Sequence, residues 1–375
     1  MSKKYTIGTN AFTYPEIRNF AGLDFADFKF SKTYDLNKLY SYFLFKFQNK
    51  LNNKYLNSFN DLGLNQVDFF HFFNVIHTGT APFITTFETK LPRWNDISNH
   101  DSKGLHSLAK NNCKKLIALS QCAYQLQKQH INSLKPDLND IICSKMEVML
   151  PPQQLMVNSF EEKELNFNAI NFTIVGADFF RKGGMSILKA FDKLIEHKYP
   201  VKLTIVSSLN YGDYASKTTK EDYQFALNTI NKHEQIHWIK SISNAQVMEL
   251  LKSTHVALLP SLAETFGYFI LEAQANGCPV ITTDIRAMPE INNNESGWLI
   301  NTCQKDSFDA DLTHLNDLEE TTTSQLEQIV ISICNNPQQI LEKSMKSIDR
   351  IKNFHNIKLH QAKLENLYYS IVQKT

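Results

Sequence analysis

The fold is decided by the stretch Leu259-Pro-Ser-Leu-Ala-Glu264-Thr-Phe-Gly-Tyr-Phe-Ile-Leu-Glu272, which joins a predicted strand to a predicted helix. The apolar run Val256–Leu259 predicts the strand, and Phe266–Asn276 predicts the helix. One carboxylate, Glu264, precedes the helix, and a second, Glu272, lies inside it. A strand that leads through a short polar loop into a helix is typical of a parallel α/β sheet.

The residues around the two carboxylates predict a binding site. Thr265 suits the N-cap position, and Gly267 has no side chain to keep a ligand away from the backbone. Free N–H groups at a helix start bind hydroxyls and phosphates. A purely structural alternative makes Glu264 a charge at the helix start and pairs Glu272 with a nearby lysine. We favour a site for a polyol that carries negative charge, because Glu272 in so apolar a segment is costly without a partner.

Working outward, short apolar strands alternate with helical segments along most of the chain, which predicts doubly wound parallel sheets. Such sheets bind ligands at the carboxyl ends of their strands. Pro151–Asn171 is predicted as a linker between two regions of this kind. The predicted strands are Tyr5–Gly8, Val67–Phe70, Phe83–Phe87, Lys115–Leu119, Met146–Leu150, Phe172–Val175, Leu203–Val206, Ile236–Ile239, Val256–Leu259, Val280–Thr282 and Trp298–Ile300.

Length and composition indicate the class of protein. The 375 residues exceed what one hydrophobic core usually supports, so two domains are expected. A net charge of +1 argues against a nucleic-acid-binding protein. Residues 1–165 hold 19 Lys+Arg and 15 Asp+Glu, and this mildly basic half favours an anionic acceptor or a membrane surface.

The cysteines and the apolar segments bear on the compartment. Six scattered cysteines without CxxC spacing indicate reduced core thiols of a cytosolic protein. The first residues lack the apolar core of a signal peptide, and no apolar run is long enough to span a membrane. The helix predicted over Asn37–Phe47 is apolar nearly all round. We interpret it as a buried helix, with a membrane-facing aromatic surface as the alternative.

A second candidate site follows the strand Phe172–Val175. The chain there runs Gly176-Ala-Asp-Phe-Phe-Arg181-Lys182-Gly-Gly and enters a helix. Two cations beside two glycines at a helix N-terminus form an anion site, because backbone N–H groups and the helix dipole add to the side-chain charge. Arg supplies a planar fork and Lys a point charge for phosphate.

The first half offers weaker candidates. Glu88 and Arg93 follow the strand Phe83–Phe87 and are predicted to face a cleft. His77 follows another strand, where a sugar or phosphate contact competes with a structural role. The histidine spacings fit no metal-binding motif, so no metal site is predicted.

These residues resemble a known family. The run Leu259–Thr282, together with Glu290-Ile, Ser296-Gly-Trp-Leu-Ile and the Arg181-Lys182 loop, is similar to the nucleotide-sugar site of family 4 glycosyltransferases. These are retaining enzymes of the GT-B fold, in which two Rossmann-like doubly wound parallel-sheet domains face each other across a cleft. The resemblance covers Phe172–Ile300 and is looser in the first half.

The resemblance implies a role for each matching residue. Glu272 would hold the ribose hydroxyls of a UDP- or GDP-sugar, while Ile239 and Ser241 would lie against the base. Lys182 and Arg181 would neutralise the diphosphate. Glu264, with the backbone of Thr265, Phe266 and Gly267, would hold the transferred sugar, and Lys182 and Glu264 are the implied catalytic residues. Beside these matching residues, Glu88, Arg93 and His77 stay candidates, from their places in the sequence, for contact with the acceptor or the sugar.

The chain departs from the family pattern at two positions. Many members carry an Arg where this chain has Ala177, and Arg181 is the expected substitute. Many also carry a His where this chain has Glu88, which leaves the role of Glu88 open. These departures support an alternative, a catalytically silent sugar-nucleotide-binding subunit of a transferase complex. A sugar-nucleotide epimerase is a further alternative.

The resemblance also implies the organisation of the protein. An acceptor-binding domain is expected over residues 1–155 and a donor-binding domain over 156–355, with a helix over 356–375 that packs back on the first domain. The expected activity is a hexosyl- or N-acetylhexosaminyl-transferase that needs no cofactor beyond the nucleotide sugar. The acceptor would be a glycan, glycolipid or protein, as in polysaccharide or glycoprotein biosynthesis. A cytoplasmic location is expected, with room for peripheral contact with the inner face of the membrane and for a partner subunit.

Overall fold

A computed structural model describes residues 4–48, 53–94, 99–212, 214–302 and 308–373. The chain divides into two compact units. Unit 1 comprises Met1–Pro152 together with Asn356–Thr375, and unit 2 comprises Gln153–His355. Within the described ranges, no helix combines the length and the apolar character that a membrane span requires.

The strands and helices alternate along the chain, as the α/β pattern predicts. The strands are β1 (Tyr5–Thr9), β2 (Phe28–Lys32), β3 (Ser58–Phe59), β4 (Phe69–Phe73), β5 (Ile76–His77), β6 (Phe83–Phe87), β7 (Cys113–Ala118), β8 (Met146–Val148), β9 (Ile170–Val175), β10 (Val201–Val206), β11 (Ile236–Ile239), β12 (Val256–Leu259), β13 (Val280–Thr283) and β14 (Gly297–Ile300). The helices are α1 (Tyr14–Glu16), α2 (Leu36–Gln48), α3 (Asn53–Leu56), α4 (Asn99–Ala109), α5 (Gln121–Leu134), α6 (Asn139–Cys143), α7 (Gly184–Glu196), α8 (Lys220–Lys232), α9 (Asn244–Lys252), α10 (Tyr268–Ala275), α11 (Met288–Ile291), α12 (Leu315–Asn335), α13 (Gln338–Phe354) and α14 (Ile357–Val372).

Unit 1 is built on a six-stranded sheet in the order β2-β1-β4-β6-β7-β8, in which all neighbours are parallel. Strands buried on both faces are mostly apolar, and β4 is buried along its whole length and apolar except for His71. The edge strand β2 was not predicted. Its sequence, Phe-Lys-Phe-Ser-Lys, exposes both lysines at the sheet edge, where charged residues are common.

The prediction that the Asn37–Phe47 segment is a buried helix is wrong. The segment is helical, but most of its aromatic side chains are exposed, and Phe47 keeps 73% of its surface. Aromatic residues at helical spacing predict burial only when another element covers them, and the sequence alone does not show whether one does.

Helix α14 belongs to unit 1. Tyr368 is fully buried, and its hydroxyl lies 2.8 Å from His71 Nδ1, while His71 Nε2 lies 2.8 Å from the Thr86 hydroxyl. Burial lowers the pKa of His71 to about 3, so the ring is neutral at physiological pH. Since this pKa lies below the ordinary value of 6.5, the stability that His71 contributes is complete above pH 6.5 and is lost as the pH falls toward 3.

Replacing Tyr368 with Phe should destabilise unit 1, because it leaves the buried His71 Nδ1 without its hydroxyl partner. We expect a loss of roughly 1–3 kcal/mol in the free energy of unfolding, measured by urea denaturation at pH 7. Tyr369→Phe is the matched control, since its hydroxyl bonds to Asp27 from a half-buried position and should cost less. Equal midpoints for the two variants would contradict the prediction.

Unit 2 is built on a second six-stranded parallel sheet, in the order β11-β10-β9-β12-β13-β14. The chain order reverses between β9 and β12, which is the topological switch point where doubly wound sheets bind ligands. Helix α12 packs against α7 over one face of the sheet. Buried free thiols occur in both units at Cys113, Cys122 and Cys278, while Cys303 lies outside the described residues.

Candidate active site

The candidate site lies at the switch point of unit 2. Strands β9 and β12 are paired in parallel, with Phe172 opposite Val256 and Thr173 opposite Ala257. Their carboxyl ends therefore lie side by side. The loop after β9 carries Arg181 and Lys182, and the loop after β12 carries Glu264. The topology thus brings together charged residues that are about 80 positions apart in sequence.

Gly183 fixes the approach of these two loops. It has φ +83°, and a Cβ atom at this position would lie 2.1 Å from the carbonyl oxygen of Pro260. The Leu262 N–H donates to the Arg181 carbonyl at 2.9 Å, and the buried Phe179 and Phe180 anchor the first loop. Helix α7 then begins at residue 184, with its N-terminus at the site.

Lys182 and Glu264 form the centre of the site. The Lys182 ammonium donates to Glu264 Oε2 at 2.9 Å, and the second oxygen, Oε1, accepts from the Thr265 N–H at 3.2 Å. The two side chains are only 15% and 12% exposed, so solvent and salt screen this pair less than an exposed pair.

The lysine stem lies across Gly176, since a Cβ atom there would lie 2.3 Å from Lys182 Cδ. A residue with a side chain would therefore displace the lysine.

Arg181 is held more firmly than Lys182. Its guanidinium donates to Asp178 Oδ2 from Nη2 at 2.9 Å and from Nε at 3.2 Å, and it also donates to the Ala263 carbonyl. Its Nη1 lies 3.8 Å from Glu264 Oε2. Two cations and two carboxylates balance the charge of this cluster. A bound anion would therefore be held by directed N–H donors and the α7 N-terminus rather than by an excess of positive charge.

The second predicted carboxylate lies in α10. Gly267 has φ +92° and forms the N-cap of this helix, and Glu272 inside it is 7% exposed. Glu272 Oε1 accepts from Asn244 Nδ2 at 3.2 Å. We had not singled out Asn244, although its Ser243–Gln246 capping box, just after β11, marks the start of α9 in the sequence.

The remaining predicted donor-binding residues lie on neighbouring segments of unit 2. Ile239 is the last residue of β11, and Ser241 follows in the loop that leads to α9. Thr265 contacts Glu264 through its backbone, whereas the Phe266 side chain is 1% exposed and packs inward.

A cavity of about 240 Å³ adjoins Arg181 and Asp178, on the loop side of β10. Its other walls come from Asn210, Tyr211, Gly212, Tyr214 and Ser216, none of which we had predicted.

In unit 1 the structure joins Glu88 to Arg93. Arg93 Nη1 lies 3.0 Å from Glu88 Oε1, and the Asn74 side chain donates to the same oxygen at 3.2 Å. The Glu88 N–H in turn donates to Asn74 Oδ1 at 3.2 Å. Asn74 has a left-handed backbone, with φ +58°.

His77 lies elsewhere in unit 1. It is 1% exposed, packs against Phe59 and Phe70, and accepts from the Gly79 N–H through Nδ1 at 2.8 Å. Burial lowers its pKa to about 4. We therefore assign His77 a structural role, because an aromatic core shields its ring from ligands.

The described part of the chain contains no group of three or more His, Cys, Asp or Glu side chains arranged to hold a metal ion.

Known proteins resemble the chain in sequence and in fold. Residues 158–328 match the family model described as "Glycosyl transferases group 1". An uncharacterized glycosyltransferase of Methanocaldococcus jannaschii is 24% identical over 59% of this chain and 56% of its own length. The UDP-Gal:alpha-D-GlcNAc-diphosphoundecaprenol alpha-1,3-galactosyltransferase of Escherichia coli is 25% identical over 64% of this chain and 62% of its own length. The chain thus spans a little over half the length of these two relatives.

A solved glycosyltransferase structure from Rickettsia africae superposes with a TM-score of 0.55, at 16% identity, over 93% of this chain and 86% of that chain. The prediction of a GT-B fold with two doubly wound parallel sheets is confirmed. The family match lies within unit 2, and the structural match shows the GT-B fold.

Proposed function

We propose that this protein is a retaining family 4 glycosyltransferase that moves a hexosyl or N-acetylhexosaminyl group from a nucleotide sugar to a hydroxyl acceptor. One observation carries the proposal: Lys182 and Glu264 meet at 2.9 Å beside the N-terminus of α7, at the switch point of the sheet. This places a cation, a carboxylate and the start of a helix where a diphosphate and its sugar would bind.

The donor would bind across two contact clusters of unit 2. Lys182, Arg181 and the N-terminus of α7 would hold the diphosphate, and Glu264 with the Thr265 and Gly267 backbone would hold the sugar. At the other end Glu272 would accept the ribose hydroxyls, with Asn244 orienting its carboxylate. Ile239 and Ser241 would line the base. A UDP-sugar is the donor we favour, because the Escherichia coli relative is named for a UDP-galactose donor.

The reaction would break the bond between the anomeric carbon and the diphosphate oxygen and form a bond from that carbon to the acceptor oxygen. The acceptor proton would pass to the departing phosphate oxygen, and attack from the same face would retain the configuration. The sugar gains oxocarbenium character as the bond breaks, while negative charge grows on the diphosphate. Lys182 would stabilise that charge where it develops, which is the main source of acceleration in such sites.

The acceptor would be a glycan, a lipid-linked sugar or a protein hydroxyl. In unit 1, Arg93 and Asn74 hold the Glu88 carboxylate in a fixed orientation just after the end of β6. We place it against the acceptor, in the position where many family members carry a histidine.

Donor binding is tested by thermal unfolding with UDP, GDP and ADP. UDP at 100 times its Kd adds about 2.7 kcal/mol of stability, which raises Tm by roughly 5–11 °C for a unit of this size. Glu272→Gln should weaken UDP binding about tenfold or more, because it removes the acceptor charge for two ribose hydroxyls. The exposed Glu249, on α9, supplies the control Glu249→Gln. Equal Tm shifts with UDP for Glu272→Gln and Glu249→Gln would contradict the proposed contact between Glu272 and the donor.

Activity is tested separately with a radiolabelled UDP-sugar panel, with and without acceptor extracts. Transfer of label to an acceptor, with the anomeric configuration kept, supports the proposal. Conversion of the free donor without an acceptor would identify an epimerase instead. Tight donor binding with neither transfer nor slow hydrolysis would favour the silent subunit.

A further inference from the structure

Helix α2 has its polarity inverted. The face that packs on unit 1 carries Asn37, whose amide donates to the Ser58 hydroxyl at 2.9 Å, and the buried Ser41. The solvent face instead carries Leu39, Tyr40, Tyr42, Phe43, Phe45 and Phe47, each about half exposed or more. A surface helix normally turns its apolar side to the core. Helix α2 turns most of its apolar side chains to solvent instead.

The apolar surface continues beyond the helix. Tyr34 is 82% exposed, and its backbone is tied to Asn65 by two hydrogen bonds of 2.9 Å. In the loop just before Asn65, Leu62 and Leu64 are 78% and 68% exposed. On the other side Tyr40 packs edge-on against Tyr55 of the following segment, with ring centroids 4.8 Å apart. Exposed apolar surface on this scale marks an interaction site in a folded protein.

The charged side chains of α2 and α3 are all lysines. The sequence from residue 36 to residue 56 contains lysines but no Asp or Glu. The exposed Lys38 and Lys46 lie on the helix, and Lys46 Nζ lies 5.9 Å from the centre of the Phe47 ring. Lys54 lies on α3, with Nζ 5.8 Å from the Tyr55 ring centre. Lysine stems can lie along apolar surface while their ammonium groups reach outward to anions.

We propose that α2 and the adjoining Tyr34, Leu62 and Leu64 bind an anionic lipid surface, with the aromatic rings in the boundary between headgroups and acyl chains. The apolar face of α2 has lysines beside it, while the neighbouring Asp61 is buried and Asp35 is half-buried. This arrangement matches an interfacial helix that recognises negatively charged headgroups. A second copy of the chain fits less well. A twofold dimer would set this face against itself and bring like-charged lysines together.

Vesicle flotation of the full chain tests this surface, using phosphatidylcholine vesicles with and without phosphatidylglycerol. The unmodified protein should float with the anionic vesicles, bind neutral vesicles less, and bind less as salt rises. Phe43→Ser with Phe47→Ser should weaken binding to anionic vesicles about tenfold or more. Lys38→Gln with Lys46→Gln should abolish most of the preference for anionic lipid while leaving weak binding to neutral vesicles.

The control removes equally exposed apolar side chains elsewhere, by Met345→Ser with Phe354→Ser on α13, where the two residues are 56% and 58% exposed. It should float like the unmodified protein. Thermal unfolding without ligand checks that each variant is folded, and keeps this test independent of the proposed activity.

Two results would overturn the proposal. One is flotation of the Phe43/Phe47 variant equal to that of the control. The other is absence of binding to anionic vesicles. A dimer detected by light scattering that the Phe43/Phe47 variant dissociates would then assign the surface to a second copy. Vesicle binding that the lysine substitutions leave unchanged would contradict the proposed recognition of headgroup charge.

Discussion

Lys182→Ala lowers turnover about tenfold or more, a loss of ~1.4 kcal/mol or more of transition-state stabilisation, while unit 2 stays folded. The reason is the position of the ammonium, beside the start of α7, where charge would grow on the departing diphosphate. Arg181 cannot replace it fully, because Asp178 and the Ala263 carbonyl already hold its guanidinium. Because the lost interaction strengthens as the phosphate charge develops, kcat should fall more than donor affinity.

Initial rates at saturating donor measure this effect, and UDP binding is measured beside them. Lys189→Ala is the matched control, since Lys189 lies on α7, pairs with Glu319 and is 41% exposed. Lys189→Ala should keep nearly all of its turnover. Turnover of folded Lys182→Ala within about twofold of Lys189→Ala would refute the proposed role of Lys182.

Gly183→Ala should destabilise unit 2 by about 3 kcal/mol or more and abolish activity. A left-handed backbone at φ +83° costs a non-glycine residue on the order of 1–3 kcal/mol. The added Cβ would also lie 2.1 Å from the Pro260 carbonyl oxygen, so the two loops of the site must separate. That separation would break the contact between Lys182 and Glu264 as well.

Gly212→Ala is the control for this substitution, because a Cβ at Gly212 meets nothing within 4 Å. Urea unfolding followed by circular dichroism compares the two variants. If Gly183→Ala unfolds at the same midpoint as Gly212→Ala, the close packing of the loops does not hold the site together.

The fold of unit 2 was the more predictable half, because each of its strands is a short apolar run. Gly183 and the pair of cations before it mark a strand-to-helix loop in the sequence, and Glu264 marks the next such loop of the site. Their meeting follows from the parallel order of the sheet, since β9 and β12 are neighbours. The direct contact between Lys182 and Glu264 does not follow from the sequence and is seen only in the structure.

The errors share a physical cause. Strand β2 carries two lysines and looked polar, and it is a strand because a neighbour, β1, supplies its hydrogen bonds. The surroundings of Asn244 and His77 likewise depend on residues distant in sequence, since Asn244 donates to Glu272 and His77 packs against Phe59. Phe43 and Phe47 looked like core residues, yet no described element covers them. A local sequence pattern indicates which secondary structure and which degree of burial a segment favours. Contacts with residues distant in sequence decide whether the segment adopts them.

Helix α14 has a consequence for biosynthesis. Unit 1 is interrupted in the chain, because all of unit 2 is translated before residues 356–375 emerge to bury Tyr368 beside His71. The continuous unit 2 can therefore fold without waiting for a later segment, whereas the earlier-made unit 1 lacks its final helix until residues 356–375 are translated. In that interval Phe25, Phe28 and Phe69, which Tyr368 contacts in the folded protein, are left uncovered by α14, and exposed apolar surface of this kind favours aggregation.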